Sequence, residues 1–377
     1  MHTWVEISKG ALAHNLRQFK FISKDAKLIG VIKANAYGHG LEQVADAIAD
    51  TVDYLAVINL NEAKRIRAAG VRVPVLILGY VEENKEELQW LIRERVELVV
   101  NSLTHAQRLS KLLFESGEAS ELRVHAKVDT GMGRMGIMPE HAVGYIKQIN
   151  ELPHLYLKGV ESHFADVTNH PEYTKKQLAI FLDIKYQLYR EKIEPPLFHI
   201  AKTEAILNFF ESHLDAVRLG IGLYGLWPDT KLIDRVALVH PEFSLKPVLS
   251  WKARVLQVKD YPEGSFIGYG CTHQTKRKTR IAIIPVGYYE GYSRGLSNKG
   301  EMLIRGKRCK VLGNICMNMA MVDVTAVSGV QRADEAVLIG AQKHEEITAH
   351  DIAEILGTVH YEVVTRINPL IPRVVVA

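Results

Sequence analysis

The sequence predicts an α/β protein in which a (β/α)8 barrel of the TIM type is followed by a mainly-β domain. Short β-prone runs alternate with amphipathic helical stretches from about residue 29 to 220, and the alternation completes eight units. After residue 240 the texture changes to β-runs broken by glycine and polar turns. A chain of 377 residues is also too long for one ordinary core. Two domains are therefore expected: residues 1–240 as the barrel and 241–377 as the β-rich domain.

The first strand is read near residues 29 to 33, in the run LIGVIK. The others fall at YLAVI (54–58), PVLIL (74–78), ELVV (97–100), LRVHAKV (122–128), LYLKGVESHF (155–164), PLFHI (196–200) and DAVRLG (215–220). Between them, stretches such as ENKEELQWLIRERV and YTKKQLAIFLDIKYQLYREK repeat their apolar residues every three to four positions, the period of a helix with one buried face. A doubly wound sheet shows the same alternation, and periodicity leaves that alternative open. In the second domain KPVLSWKARVLQV, TRIAIIPVG, EMLIRG, KRCKVLG and AMVDVT read as strands, and HDIAEILG as a helix.

Bulk properties exclude several classes of function. Forty-seven Lys and Arg against 43 Asp and Glu leave +4, too weak a field to draw nucleic acid or anionic lipid. The basic knot Lys276, Arg277, Lys278 and Arg280 reads as a solvated loop. No apolar run approaches the roughly 18 residues of a membrane span. The opening MHTWVEISKG lacks the basic and apolar blocks of a secretory signal, so a cytoplasmic protein is expected. Cys271, Cys309 and Cys316 form no CxxC pair, and the 16 histidines form no HExxH or Cys/His cluster, so neither a disulfide framework nor a metal site is expected.

In a barrel enzyme, reactive groups stand at the carboxyl ends of the strands. That rule selects Lys33, at the tip of the first strand in VIKANAYGHG. A lysine there forms a Schiff base with an aldehyde if burial and nearby positive charge keep its amine partly deprotonated; otherwise it is a solvated surface residue. Tyr37 is a phosphate donor or a loop cap. Barrels often hold phosphate with the loops after strands seven and eight. Here those loops are HIAKTEA and RLGIGLYG, which offer the Thr203 hydroxyl and the N–H groups of Gly220 and Ile221, unless both are ordinary strand-to-helix turns.

These motifs, with KVDTGMGRMG, ESHF, IGYGCTH, PVGYYEGYSRGLSNKG, GNICMNMAMVDVT and YEVVTRINPLIPR, occur in an order and spacing that resemble the bacterial alanine racemases over nearly the whole chain. The resemblance implies pyridoxal 5'-phosphate (PLP) as cofactor and a head-to-tail homodimer in which the β-domain of one subunit completes the active site of the other. It implies a cytoplasmic isomerase that interconverts L- and D-alanine and supplies D-alanine for peptidoglycan. Matched residue by residue, Lys33 is the cofactor lysine and one base, and Tyr269, from the other subunit, is the second. Tyr37, Thr203, Gly220, Ile221 and Tyr361 match the phosphate positions, and Arg218 the residue facing the pyridine nitrogen. Arg134 and the main chain at Met317 match groups around the substrate carboxylate, His163 and His199 the groups behind ring and arginine, and Lys127 a lysine that is carbamylated in many members.

The chemistry suits these residue types. Inverting an α-carbon takes a proton from one face and returns one to the other, so two bases on opposite sides are natural. An arginine opposite the pyridine nitrogen is too poor an acid to protonate it, which weakens the electron sink and favours proton return over transamination. A tyrosine base, with an ordinary pKa of about 10, needs help from its surroundings. The chain departs from the family at Lys202-Thr203, Asn314 and Asn318, where Asn-Ser, often Arg, and Asp are usual. A serine or broad-specificity racemase is the nearest rival reading. A decarboxylase on a similar barrel or a non-catalytic PLP-handling protein fits residues 241–377 less well.

Overall fold

A computed structural model describes residues 1–117 and 119–377. The chain forms two compact units, one of residues 12–34 and 44–245, the other of residues 1–11, 35–43 and 246–377.

The first unit is the (β/α)8 barrel. Its strands are β2 (Lys27–Val31), β3 (Tyr54–Val57), β4 (Val75–Ile77), β5 (Val96–Val100), β6 (Leu122–Lys127), β7 (Leu155–Glu161), β8 (Leu197–His199) and β9 (Ala216–Leu219). All ladders are parallel, in the order β8-β7-β6-β5-β4-β3-β2-β9. The Asp215 N–H to Phe198 O (3.2 Å) and the Arg218 N–H to Ala201 O (3.0 Å) close β9 onto β8. Each of the eight expected strands is present, and a closed barrel replaces the doubly wound alternative. Strands covered on both faces are mostly apolar, as in β5, VELVV, which is wholly buried and whose one polar residue is Glu97. Helices start where the sequence supplies caps: Asn84 accepts the N–H of Glu87 at 2.8 Å ahead of Lys85–Arg93, and Pro171 begins the helix Pro171–Arg190.

The second unit holds a seven-stranded sheet and a three-stranded sheet. One correction concerns the N-terminus. β1 (Thr3–Ser8), grouped above with the barrel, lies in this sheet, antiparallel to Leu249–Arg254 and parallel to Arg373–Val376. It buries Trp4, Val5 and Ile7 and leaves Thr3, Glu6 and Ser8 half-buried, unlike a wholly buried barrel strand such as β5. The strand Glu335–Gln342, unremarked in the sequence, pairs with both Leu249–Arg254 and Glu301–Ile304. The helix Ala349–Leu356 begins on a Thr348–Asp351 capping box and ends at Gly357 in the left-handed region, φ 65°.

Candidate active site

β2 ends at Val31, two residues short of the expected tip, and Lys33 opens the turn Lys33–Tyr37. That turn winds left-handed, with φ of 55°, 55°, 54° and 52° at Ala34, Asn35, Ala36 and Tyr37. L-residues resist this conformation by about 1–2 kcal/mol each, so roughly 4–8 kcal/mol of strain sits directly after the lysine. Residues 35–43 are tied into the second unit. Arg373 donates from Nε (3.1 Å) and Nη2 (2.9 Å) to Gly38 O, and from Nη1 to Asn368 O and Ile371 O, each at 2.6 Å. Gly38, at φ 84°, admits no side chain: a Cβ would stand 2.0 Å from Val364 O. Arg373→Leu should therefore cost at least about 2 kcal/mol in urea unfolding and raise amide exchange across 34–40, since bonds from a charged donor are worth about 1.5–3 kcal/mol.

Lys33 meets the electrostatic condition set for it. Burial lowers its pKa first, and the charges of Arg134, Lys127 and Arg218 lower it further against a weaker pull from Glu62. Arg218 is buried on the last barrel strand with both Nη atoms engaged by the protein. Nη1 donates to His199 Nδ1 and to His199 O (3.1 Å), and Nη2 to Ser162 O, Ile200 O (3.2 Å) and His163 Nδ1 (3.2 Å). Burial and the Arg218 charge push both histidines well below the ordinary imidazole range, so they accept from Arg218 as neutral rings.

Beneath these cations lies Glu161, which the sequence reading passed over although it opens the ESHF motif. Its Oε1 accepts from Lys127 Nζ at 2.8 Å, and its Oε2 is 3.2 Å from Arg218 Nη1. Burial alone would raise its pKa, but the charges of Lys127 and Arg218 outweigh burial and hold the carboxyl below the usual carboxylate range. A carbamate on Lys127 would set a second anion against this carboxylate. Asp129 was also passed over. It accepts the N–H groups of Gly131 (3.0 Å), Met132 (2.7 Å), Gly133 (3.1 Å) and Arg134 (2.9 Å), and so shapes the loop that presents Arg134. Burial opposes ionisation there, but those four amides keep the Asp129 pKa low.

Thr203 and Gly220 come together, in a different role from the one expected of Gly220. Thr203 Oγ1 accepts the Gly220 N–H at 3.0 Å and the Gly222 N–H at 3.4 Å. That engages the Gly220 N–H within the protein and leaves the Thr203 hydroxyl its hydrogen to donate. The Ile221 N–H has no acceptor among the described residues. Lys202, a departure from the family, is neutralised by Glu204 Oε2 at 2.7 Å.

The remaining expected residues belong to the second unit. Tyr37 lies near Tyr361, and burial with that neighbour pushes its hydroxyl up to about 12. Tyr269 is 75 % exposed on the short turn Tyr269–Cys271, between Gly268 and Gly270, both at φ 74°. Asn314, a second departure, donates from Nδ2 to Tyr269 O at 2.8 Å and fixes that turn. Asn318 donates to Glu290 Oε1 at 2.8 Å. The Met317 carbonyl accepts the Tyr289 N–H at 2.9 Å, and the Met317 N–H has no partner among the described residues.

Fold and cluster together define a (β/α)8 barrel that holds a desolvated lysine amine among cations at the ends of its strands. The alanine racemase N-terminal domain model matches residues 7–228, and the alanine racemase C-terminal domain model matches 248–375. The chain is 39% identical to the alanine racemase of Halothermothrix orenii, over 98% of this chain and 96% of that protein. It is 38% identical to that of Methanococcus maripaludis, over 98% of both. Among solved structures, alanine racemase of Clostridium difficile 630 superposes with a TM-score of 0.92 at 33% identity, covering 100% and 96% of the two chains. That of Bacillus anthracis, with bound L-Ala-P, gives 0.90 at 33%, covering 100% and 95%. The chain belongs to the alanine racemase family.

Proposed function

We propose that the protein interconverts L- and D-alanine using PLP, as a cytoplasmic homodimer in which residues 241–377 complete the active site of the barrel domain of the partner, and that it supplies D-alanine for peptidoglycan. The observation that carries this reading is the Lys33 amine, its pKa lowered by burial and by the charges of Arg134, Lys127 and Arg218, with both Nη atoms of Arg218 held by the protein. These residues fit PLP. Lys33 Nζ suits its aldehyde, while the Thr203 hydroxyl, the Ile221 N–H, Tyr37 and Tyr361 suit its phosphate, with Gly220 acting through Thr203. Arg218 suits the pyridine nitrogen. When bound, PLP supplies the electron sink that acidifies the α-proton.

The protein's part is orientation and proton handling. Lys33 Nζ takes or returns the α-proton on one face of the substrate. The hydroxyl of Tyr269 of the partner subunit serves the other face. Arg218 keeps its protons, because a guanidinium does not deprotonate and its Nη hydrogens are already committed. Arg134 and the Met317 N–H offer donors to the substrate carboxylate. Tyr361 limits side-chain size, which favours alanine over serine and larger substrates. Lys127 enters this reading as an unmodified partner of Glu161; a carbamate carbon signal after exposure to 13C-bicarbonate would contradict that.

The test is incubation of the protein and PLP with single L-amino acids in deuterated water, followed by resolution of both enantiomers and their α-deuterium. Alanine should exchange and racemise fastest, and absence of exchange with every amino acid would overturn the proposal. Tyr269→Phe should lower racemisation by about 10²–10⁴-fold, the usual value of a positioned general acid or base, while the cofactor stays attached to Lys33. Release of the cofactor in that variant would count against the assignment.

A further inference from the structure

Through the barrel interior runs a line of buried polar side chains that proton transfer at Lys33 does not by itself demand. Glu97 on β5, His125 on β6 and His199 on β8 are wholly buried, and Arg218 on β9 is almost so. Glu97 Oε2 lies 2.7 Å from His125 Nε2, His125 Nδ1 lies 3.0 Å from His199 Nε2, and His199 Nδ1 meets Arg218 Nη1. At the far end, the Nη1 of the half-exposed Arg123 lies 3.7 Å from Glu97 Oε1.

Every bond in this line has a determined direction. A guanidinium only donates, so His199 Nδ1 accepts and the His199 proton is on Nε2. His125 Nδ1 then accepts, which puts the His125 proton on Nε2, facing a carboxylate that can only accept. The guanidinium at one end and the carboxylate at the other therefore fix both tautomers. The fold also makes room for the line. At β7 the ladder shifts register beside His125, and a Cβ on Gly159 would stand 2.5 Å from His125 Nδ1.

We propose that Glu97 is a remote positioning residue for the reaction: by fixing the tautomers of His125 and His199 it keeps the His199 Nδ1 lone pair on Arg218 and holds that guanidinium in its working orientation. This deepens the racemase reading and rests on it, so the test separates the two. In the cofactor-free wild-type protein, 15N-histidine NMR should find His125 and His199 both with the proton on Nε2, a result independent of any activity. A proton on Nδ1 of either ring would overturn the proposal even if the enzyme racemises alanine. Glu97→Leu should scramble the His125 tautomer, weaken PLP binding and lower kcat by about 10- to 100-fold, the usual scale for partners behind a reactive group, with KM for alanine within twofold. Glu97→Gln, whose amide oxygen still accepts, should stay within about threefold of wild type. Unchanged tautomers and kcat in Glu97→Leu would also overturn it. If Glu97→Leu does not fold, Gly159→Ala presses on His125 without removing a partner and should give the same tautomer disorder and the same fall in kcat at constant KM. No disorder there would count as refutation.

Discussion

Lys33→Ala should abolish measurable racemisation and leave PLP bound only non-covalently, so that borohydride no longer fixes the cofactor to the protein. The loss should exceed the roughly 10²–10⁴-fold value of one acid-base group, because the same amine also anchors the cofactor. The substitution should also have an opposite effect on the cofactor-free protein. Lys33 is held among Arg134, Lys127 and Arg218 with its pKa below the free value, so its charged form is a cost to the fold. A group whose folded pKa is depressed contributes stability above its unfolded pKa and loses it as pH falls through the folded value. The advantage of Lys33→Ala in urea unfolding should therefore be present at pH 7 and vanish above about pH 10.4, the ordinary lysine value. Retained borohydride fixation, or a cofactor-free variant less stable than wild type at pH 7, would show that Lys33 is not the strained group described.

The barrel was legible because parallel strands covered on both faces are apolar runs and their helices carry a 3.6 period; both features are local. β1 was not, because its partners Leu249–Arg254 and Arg373–Val376 lie more than two hundred residues away, and nothing near residue 3 reveals them. The same divide runs through the site. Lys33 and Thr203 are legible because barrel topology assigns chemistry to strand ends, whereas Arg218 was marked only by the resemblance to the family. Glu161, Glu97 and His125 point into the barrel, where a sequence offers only a polar residue within an apolar run. That is itself a signal, since an unpaired carboxylate does not survive burial, and Glu97 within VELVV and Glu161 within LKGVES both carry it. Asn314 shows the reverse: marked in the sequence only as a departure from the usual Arg, it is a donor that holds the Tyr269 turn.

Glu161→Gln should be the most destabilising of the isosteric changes in the barrel, at about 3–5 kcal/mol, because it removes the anion shared by Lys127 and Arg218 and leaves two buried cations without it. The sign of the pH dependence follows from its lowered pKa. The carboxylate contributes its stability in full above the ordinary carboxylate range near 4.3, and loses it only as pH falls through the depressed folded value. The difference between wild type and Glu161→Gln should thus be constant from about pH 6 to 9 and narrow in acid. Removing one cation as well should recover part of the loss: Lys127→Met with Glu161→Gln should be more stable than Glu161→Gln alone, with a coupling of about 0.5–3 kcal/mol in the double-mutant cycle. Additive losses would mean that Glu161 serves packing rather than charge. The recovery in stability should not restore racemisation, because Lys127 is one of the charges that depress the Lys33 pKa. The charge pattern that makes the amine reactive is the one that makes the barrel mouth costly to fold, and Glu161 holds the two in balance.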